Sequence, residues 1–366
     1  MLTSTVFHHK KVLTKNKMMK KLKLLYVLTF FALIVSCEKE EPIDPIVNRT
    51  DGKSIPKESS FPKGTDLSLN FDIKTQEDQM GGFAQNAMTF FDGKVWSVGG
   101  VNDYGATSSH FLWNSTNGIN WATVPLSTTT SEAFSNFRVG HTLTVFQDQL
   151  WLIGGRDATD VKYTNLWHSP DGSNWSEVAP PFGPIPEHTT LVYNDRLYVI
   201  AGNATSGNTE VWSTGNGADW VQETNDAFSG RAGQKGVVFN DTMYVIGGED
   251  IAGTKLAEVW ASTNGRDWLR SDPPFTGRNA HTVTVYNDKV WAIGGQDPSA
   301  RFNNEIWYSS NMTTWELYDG PRPGSDGISS HTILFYDDAL WLFGGYQDNG
   351  IGGSEARGEI TAITED

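Results

Sequence analysis

Cysteine is nearly absent: Cys37 is the one thiol in 366 residues, so this chain folds without an internal disulfide. Bilayer-spanning runs are missing too, since the apolar stretch Leu24 to Val35 is twelve residues against the roughly 20 that a transmembrane helix needs. Basic residues are short. There are 28 Lys and Arg against 43 Asp and Glu, and seven of the 28 lie within residues 1–36, where no acid occurs. Residues 37–366 therefore carry −22, a surface that repels nucleic acid and anionic membranes and excludes both as direct partners. Catalytic and metal signatures are lacking as well. No G-x-S-x-G elbow supports nucleophilic hydrolysis. No H-x-H or H-x-x-x-H chelate supports zinc or copper, and no D-x-D-x-D-G ladder supports calcium. The expectation is no metal and no cofactor.

What the chain has is repetition. Small-residue doublets recur at Gly99-Gly100, Gly154-Gly155, Ala201-Gly202, Gly247-Gly248, Gly294-Gly295 and Gly344-Gly345. Their first members are 55, 47, 46, 47 and 50 residues apart. An aromatic precedes each doublet: Trp96, Trp151, Tyr198, Tyr244, Trp291 and Trp341. Before each aromatic a two-residue turn separates two alternating apolar runs, as at Asn194-Asp195, Asn240-Asp241 and Asn287-Asp288, which is the pattern of a β-hairpin. Five units then carry two tryptophans eight residues apart (113/121, 167/175, 212/220, 260/268, 307/315). Four of these pairs close through Asn-Gly or Asp-Gly, where glycine supplies a positive φ. Asn311-Met312 departs from that rule and is expected to be the least regular turn. All fourteen tryptophans sit at repeat positions and read as core. A unit of four short strands cannot bury both of its faces alone, and stacking copies solves the problem.

These apolar strands ending in Gly-Gly, with their spaced aromatics, resemble the kelch family of β-propellers over roughly residues 84 to 366. The resemblance implies an all-β fold, a six-bladed propeller of four-stranded antiparallel blades. The sixth unit has a hairpin and a third strand near Glu359-Ile360-Thr361 but no fourth strand. Asp66 to Ile73 alternates Leu67, Leu69, Phe71 and Ile73 with polar residues and is expected to supply it, closing the ring. The domain organisation is then 1–36, 37–65 and 66–366.

Residues 1–36 hold seven lysines ahead of the apolar run, the layout of a signal peptide. Leu33-Ile34-Val35-Ser36-Cys37 resembles the lipobox of bacterial lipoproteins, which implies cleavage before Cys37 and lipidation of its sulfur. Lys39-Glu40-Glu41 just beyond resembles the surface-export signal of Bacteroidota-type lipoproteins. Residues 42–65, rich in Pro, Lys, Glu and Ser, read as a tether. Met18 or Met19 is the more natural start, because the basic segment is compact from there. The expected address is the outer membrane, lipid-anchored and exposed at the cell surface, and the expected state is a monomer.

Ten residues before each doublet aromatic lies one equivalent position per unit: Asn86, His141, His188, Gln234, His281 and His331. Three residues earlier stand Phe83, Arg138, Ile185, Arg231, Arg278 and Ile328. Both sets precede the first, innermost strand and are expected to ring one mouth of the central channel. The loops after the doublets would bring Arg156, Asp157, Glu249, Asp250, Gln296, Asp297 and Tyr346 to the same face. The candidate ligand-binding set is Arg138, His141, His188, Arg231, Gln234, Arg278, His281 and His331, a positive island suited to a carboxylate-bearing or hydroxyl-rich ligand. The competing reading is that such residues hydrogen-bond the neighbouring blade and cap strand ends. The expected function is a module that binds a glycan or protein. The kelch resemblance adds a sugar mutarotase or epimerase of the N-acetylneuraminate epimerase type as the alternative, with catalytic residues unknown. Galactose oxidase chemistry, which needs a Tyr–Cys cross-link, has no thiol left once Cys37 is lipidated.

Overall fold

The computed structural model describes residues 67–75, 81–102, 112–125, 138–202, 207–323, 327–348 and 354–365, all within one compact unit, Ser60–Asp366. The readings of residues 1–36, of Cys37 and of the tether lie outside the described residues.

The local rules of the repeat produce the blades. Asn, Asp and Gln fill the hairpin turns, and at Gln147-Asp148, Asn194-Asp195, Asn240-Asp241, Asn287-Asp288 and Asp337-Asp338 both residues take φ of 46 to 57°. That geometry twists a hairpin in the sense its strands require. The inner two strands run Ala87–Phe91 with Lys94–Val98, Thr142–Phe146 with Gln149–Ile153, and Thr189–Tyr193 with Arg196–Ile200. Lys235–Phe239 with Thr242–Ile246, Thr282–Tyr286 with Lys289–Ile293, and Thr332–Tyr336 with Ala339–Phe343 complete the ring of six. In the first five blades the third and fourth strands follow in sequence, and every blade is a four-stranded antiparallel sheet. The sixth takes Ile360–Glu365 third and Leu69–Thr75 fourth, so the N-terminal segment closes the ring as expected. Its strand lies slightly later than the alternation suggests. Leu69 and Phe71 face inward, but the register shifts between Ile73 and Thr75, and Ile73 turns out to solvent.

The hydrophobic core is split among the six seams between blades. One cluster joins Trp96 and Leu112 of the first blade to Leu143, Leu150 and Trp175 of the second, and five more clusters repeat this around the ring. The seams explain why the turn glycines are needed. A Cβ on Gly172 or Gly217 would fall inside the ring of Trp96 or Trp151 of the preceding blade. Met312 occupies the equivalent place in the fifth blade. It does not make that turn irregular, which corrects the expectation. Met312 takes φ 63° and its N–H donates to Ser309 Oγ at 2.8 Å, as Gly172 N–H does to Ser169 Oγ at 2.8 Å. The opposing aromatic there is Tyr244, and the Met312 side chain packs with it in the seam. Gly217→Ala meets both a positive φ of 77° and an indole, so it should destabilise by about 2–4 kcal/mol, read as a shift in denaturation midpoint.

Candidate functional site

One end of the channel is built by a backbone device that five blades show among the described residues. In four of them the residue after the doublet pairs with the residue two before the inner-strand position: Val139 with Arg156, Ala232 with Glu249, Asn279 with Gln296 and Ser329 with Tyr346. Ala84 with Val101 does the same in the first blade. This brings the post-doublet loops and the residues leading into the inner strands to one face. The residue just before each inner-strand position is left-handed in all six blades: Gln85, Gly140, Glu187, Gly233, Ala280 and Ser330, with φ of 53 to 69°. Four N–H groups of this set donate to a carbonyl in the preceding blade. Glu187 donates to Gly140 at 2.6 Å, Gly233 to Glu187 at 2.9 Å, Ser330 to Ala280 at 2.7 Å and Gln85 to Ser330 at 2.9 Å. Only the two glycines announced this ring in the sequence.

The four histidines come together around the channel, each against the preceding blade. A Cβ on the first glycine of that blade's doublet would stand 2.6 to 3.0 Å from the ring carbon Cε1: Gly99 from His141, Gly154 from His188, Gly247 from His281 and Gly294 from His331. The absent side chain is the seat of the imidazole. Where the doublet begins with alanine, at Ala201, the next blade carries Gln234 in place of a histidine. Three of the rings are also hydrogen-bonded as neutral tautomers. His188 Nδ1–H donates to Ile185 O at 2.7 Å, leaving Nε2 to accept from the Thr142 hydroxyl at 3.0 Å. His141 donates from Nε2 to Val98 O at 3.0 Å, and His331 Nε2 meets the Thr282 hydroxyl at 2.8 Å. Desolvation is the main force on their titration. It lowers His141 and His331 to about 3 and His188 to about 4, and holds His281 well below the usual imidazole range. At neutral pH they carry no charge.

The arginines are not at the mouth, and the expected positive island does not form from them. Arg138, Arg231 and Arg278 are buried, and each donates from Nη1 to the carbonyl of its own blade's first doublet glycine: Gly154 at 2.8 Å, Gly247 at 3.2 Å and Gly294 at 3.3 Å. Arg231 Nη2 pairs with Glu258 at 2.5 Å and Arg278 Nη2 with Glu305 at 2.7 Å. Each of those carboxylates also accepts the indole N–H two residues on, from Trp260 and Trp307. Arg138 stacks on Tyr163 at 4.0 Å instead. A guanidinium committed in this way holds a loop to its blade and offers no fork to a ligand. The loop acids are committed too. Asp157, Asp250 and Asp297 each accept two backbone N–H groups of their own loop through Oδ1.

What remains open is a cavity of about 540 Å³ inside the ring of inner strands. Its wall includes Thr142, Thr189, Thr282 and Thr332 at one level, and there the fourth blade presents Lys235. Sequence reasoning missed this lysine because it lies one residue past the repeat position, Gln234. Gln234 itself is buried and faces the carbonyls of Ile200 and Ala201, each at 3.4 Å. Among the described residues no cluster of three or more His, Cys, Asp or Glu is arranged to hold a metal ion.

Known proteins place this architecture. The family described as KLHDC2/KLHL20/DRC7 Kelch-repeats domain matches residues 187–352. The Kelch repeat protein M-T8 of Myxoma virus (strain Lausanne) is 28% identical over 131 residues, covering 35% of this chain and 24% of the viral protein. The chain thus spans about a quarter of that relative's length. The solved structure titled "Structure of YjhT" superposes with a TM-score of 0.62 at 15% identity, covering 79% of this chain and 99% of the other, a likeness of fold. Six doublets and six four-stranded blades agree: the chain is a six-bladed β-propeller, and its residues 187–352 match the kelch-repeat family.

Proposed function

We propose that the propeller is a binding module displayed at the outer surface of the cell through a lipid on Cys37, and that it takes a glycan into its central channel. The observation that carries this reading is the channel itself, a polar cavity of about 540 Å³ with threonine hydroxyls, amides and one ammonium on its wall. That size lies in the range of small-molecule sites, and the lining is richer in hydrogen-bonding groups than a hydrophobic ligand would require. The alternative, a sugar mutarotase or epimerase at the same mouth, needs a proton donor and acceptor on either side of a sugar carbon. The four histidines reach the cavity wall but are buried and held neutral by desolvation, and the three loop aspartates fasten their own turns, so neither set is poised to give and take a proton at a sugar carbon. Binding without turnover is the expected behaviour.

A glycan array probed with residues 67–366, followed by crystals soaked in sialic acid and in neutral glycans, tests the module. Occupancy of the channel with no change in the anomeric or epimeric state of the sugar is the expected result; an empty channel and a blank array overturn it. The anchor is tested separately. Cys37→Ser should abolish labelling by a fatty-acid analogue and release the protein from the membrane fraction, and a variant that stays labelled and membrane-bound refutes the lipid.

A further inference from the structure

We infer that Lys235 is the anion anchor of the channel and that the ligand is a hydroxylated monocarboxylate of the sugar-acid class, such as a hexuronic acid, with its carboxylate on Lys235 Nζ. This rests on the channel being the glycan site, and it adds the charge of the glycan and the residue that reads it.

The argument begins from position. The first residue of the inner strand is Ala87, Thr142, Thr189, Thr282 or Thr332 in five blades and Lys235 in the fourth. The half-buried ammonium therefore projects into the lumen where its counterparts carry a methyl or a hydroxyl. It shares the cavity wall with His141, His188, His281 and His331. Among the described residues it makes no hydrogen bond and no ion pair. Burial lowers its own pKa, opposed by the charge of Glu187. A cation partly withdrawn from water and held by no ion pair costs the fold some stability.

Among the described residues Lys235 is the one lysine or arginine on the cavity wall, and Glu187 the one acid. Glu187 lines the cavity but accepts from Arg156 Nη2 at 2.8 Å, and the histidines are neutral. Arg231 and Arg278 are paired with Glu258 and Glu305. The wall thus carries one cation that no ion pair holds. One carboxylate neutralises it. A phosphate dianion would leave excess negative charge facing Glu187, so a monoanion fits better than a phosphosugar. The remaining wall suits hydroxyls, because threonine side chains and neutral amides both donate and accept.

Lys235→Met removes the charge and keeps the length of the side chain. Calorimetry with galacturonate, glucuronate, galactose and glucose 6-phosphate should show the wild type preferring the two uronates. In Lys235→Met uronate binding should weaken about 10- to 100-fold, the effect expected when a charged group loses its partner. A second readout keeps the test decisive should the variant fold differently. If Lys235 is kept for a ligand, ligand-free Lys235→Met should melt at a higher temperature than wild type, because an unpaired, half-buried charge has gone. A lower melting temperature makes Lys235 structural and overturns the inference. So does uronate binding that Lys235→Met leaves intact, or galactose bound as tightly as galacturonate. Array hits confined to neutral glycans overturn the sugar-acid class while leaving the binding module standing.

Discussion

Acidification from pH 7 to pH 5 should bring the propeller close to unfolding. The buried histidines are neutral in the fold, with values of about 3 for His141 and His331, about 4 for His188, and a strongly lowered value for His281. In the unfolded chain each imidazole titrates near 6.5. Above about pH 6.5 neither state binds the proton and the rings contribute their full stability. Below it the unfolded chain takes up protons that the folded chain refuses, so stability falls by about 1.4 kcal/mol per pH unit per ring. The fall continues until the folded rings themselves titrate, near pH 3 to 4. At pH 5 each ring has lost about 2 kcal/mol, and four independent rings about 8 kcal/mol, comparable with the whole stability of an ordinary domain. Carboxylates held below their usual range, among them Glu258 and Glu305, add their own loss as the pH falls further. Their onset, near the ordinary glutamate value, is distinct from that of the histidines.

Denaturant midpoints taken from pH 7.5 to 4.5 report this directly, since their slope counts the protons taken up on unfolding. Replacing His281 with Gln, the residue nature uses at the same position in the fourth blade, should reduce that uptake by one. Stability that stays level between pH 6.5 and 5 would show the rings to be hydrated and free to ionise.

The same histidines show how much of this protein could be read from its sequence. Their spacing from the doublet aromatics placed them correctly at one level of the ring. Their role depends on a contact across a seam, between residues some forty positions apart. A trace of that contact was present: four of the five doublets that begin with glycine are followed by a histidine, Asn86 following Gly344, and Gln234 follows Ala201. The arginines carried a similar trace. Glu258 and Glu305 each lie 27 residues beyond their arginine and two before a tryptophan, whereas Arg138 finds Asn165 at that distance. Blade count, hairpin turns and ring closure were legible because each follows from local turn chemistry and alternation. Lys235 was hidden for the opposite reason. It breaks a repeat that no motif marks, and only closing the ring brings it opposite the other blades.

Removing residues 67–75 should cost more than any point substitution considered above. The strand Leu69–Thr75 pairs with Ile360–Glu365 along its length, from Leu69 opposite Glu365 to Thr75 opposite Ile360. Leu69 is buried in the seam between the fifth and sixth blades with Trp291, Tyr308 and Tyr318, and its N–H donates to the Tyr318 hydroxyl at 3.0 Å. Leu67 and Phe71 pack against the same cluster. Burying three such side chains contributes about 1.5–3 kcal/mol each. Their loss also strips one edge of Ile360–Glu365, whose first four residues are buried, and leaves an unpaired β-edge that invites association between molecules. The truncated protein should therefore melt well below the full chain and elute as oligomers in size-exclusion chromatography. A synthetic peptide of residues 67–75 should restore both properties in proportion to its concentration, because it binds only the folded ring. The peptide with Leu69→Asp should fail to do so. A truncated chain that stays monomeric with an unchanged melting temperature would mean that five blades and three strands hold the ring by themselves, and that the N-terminal strand rests on the propeller without closing it.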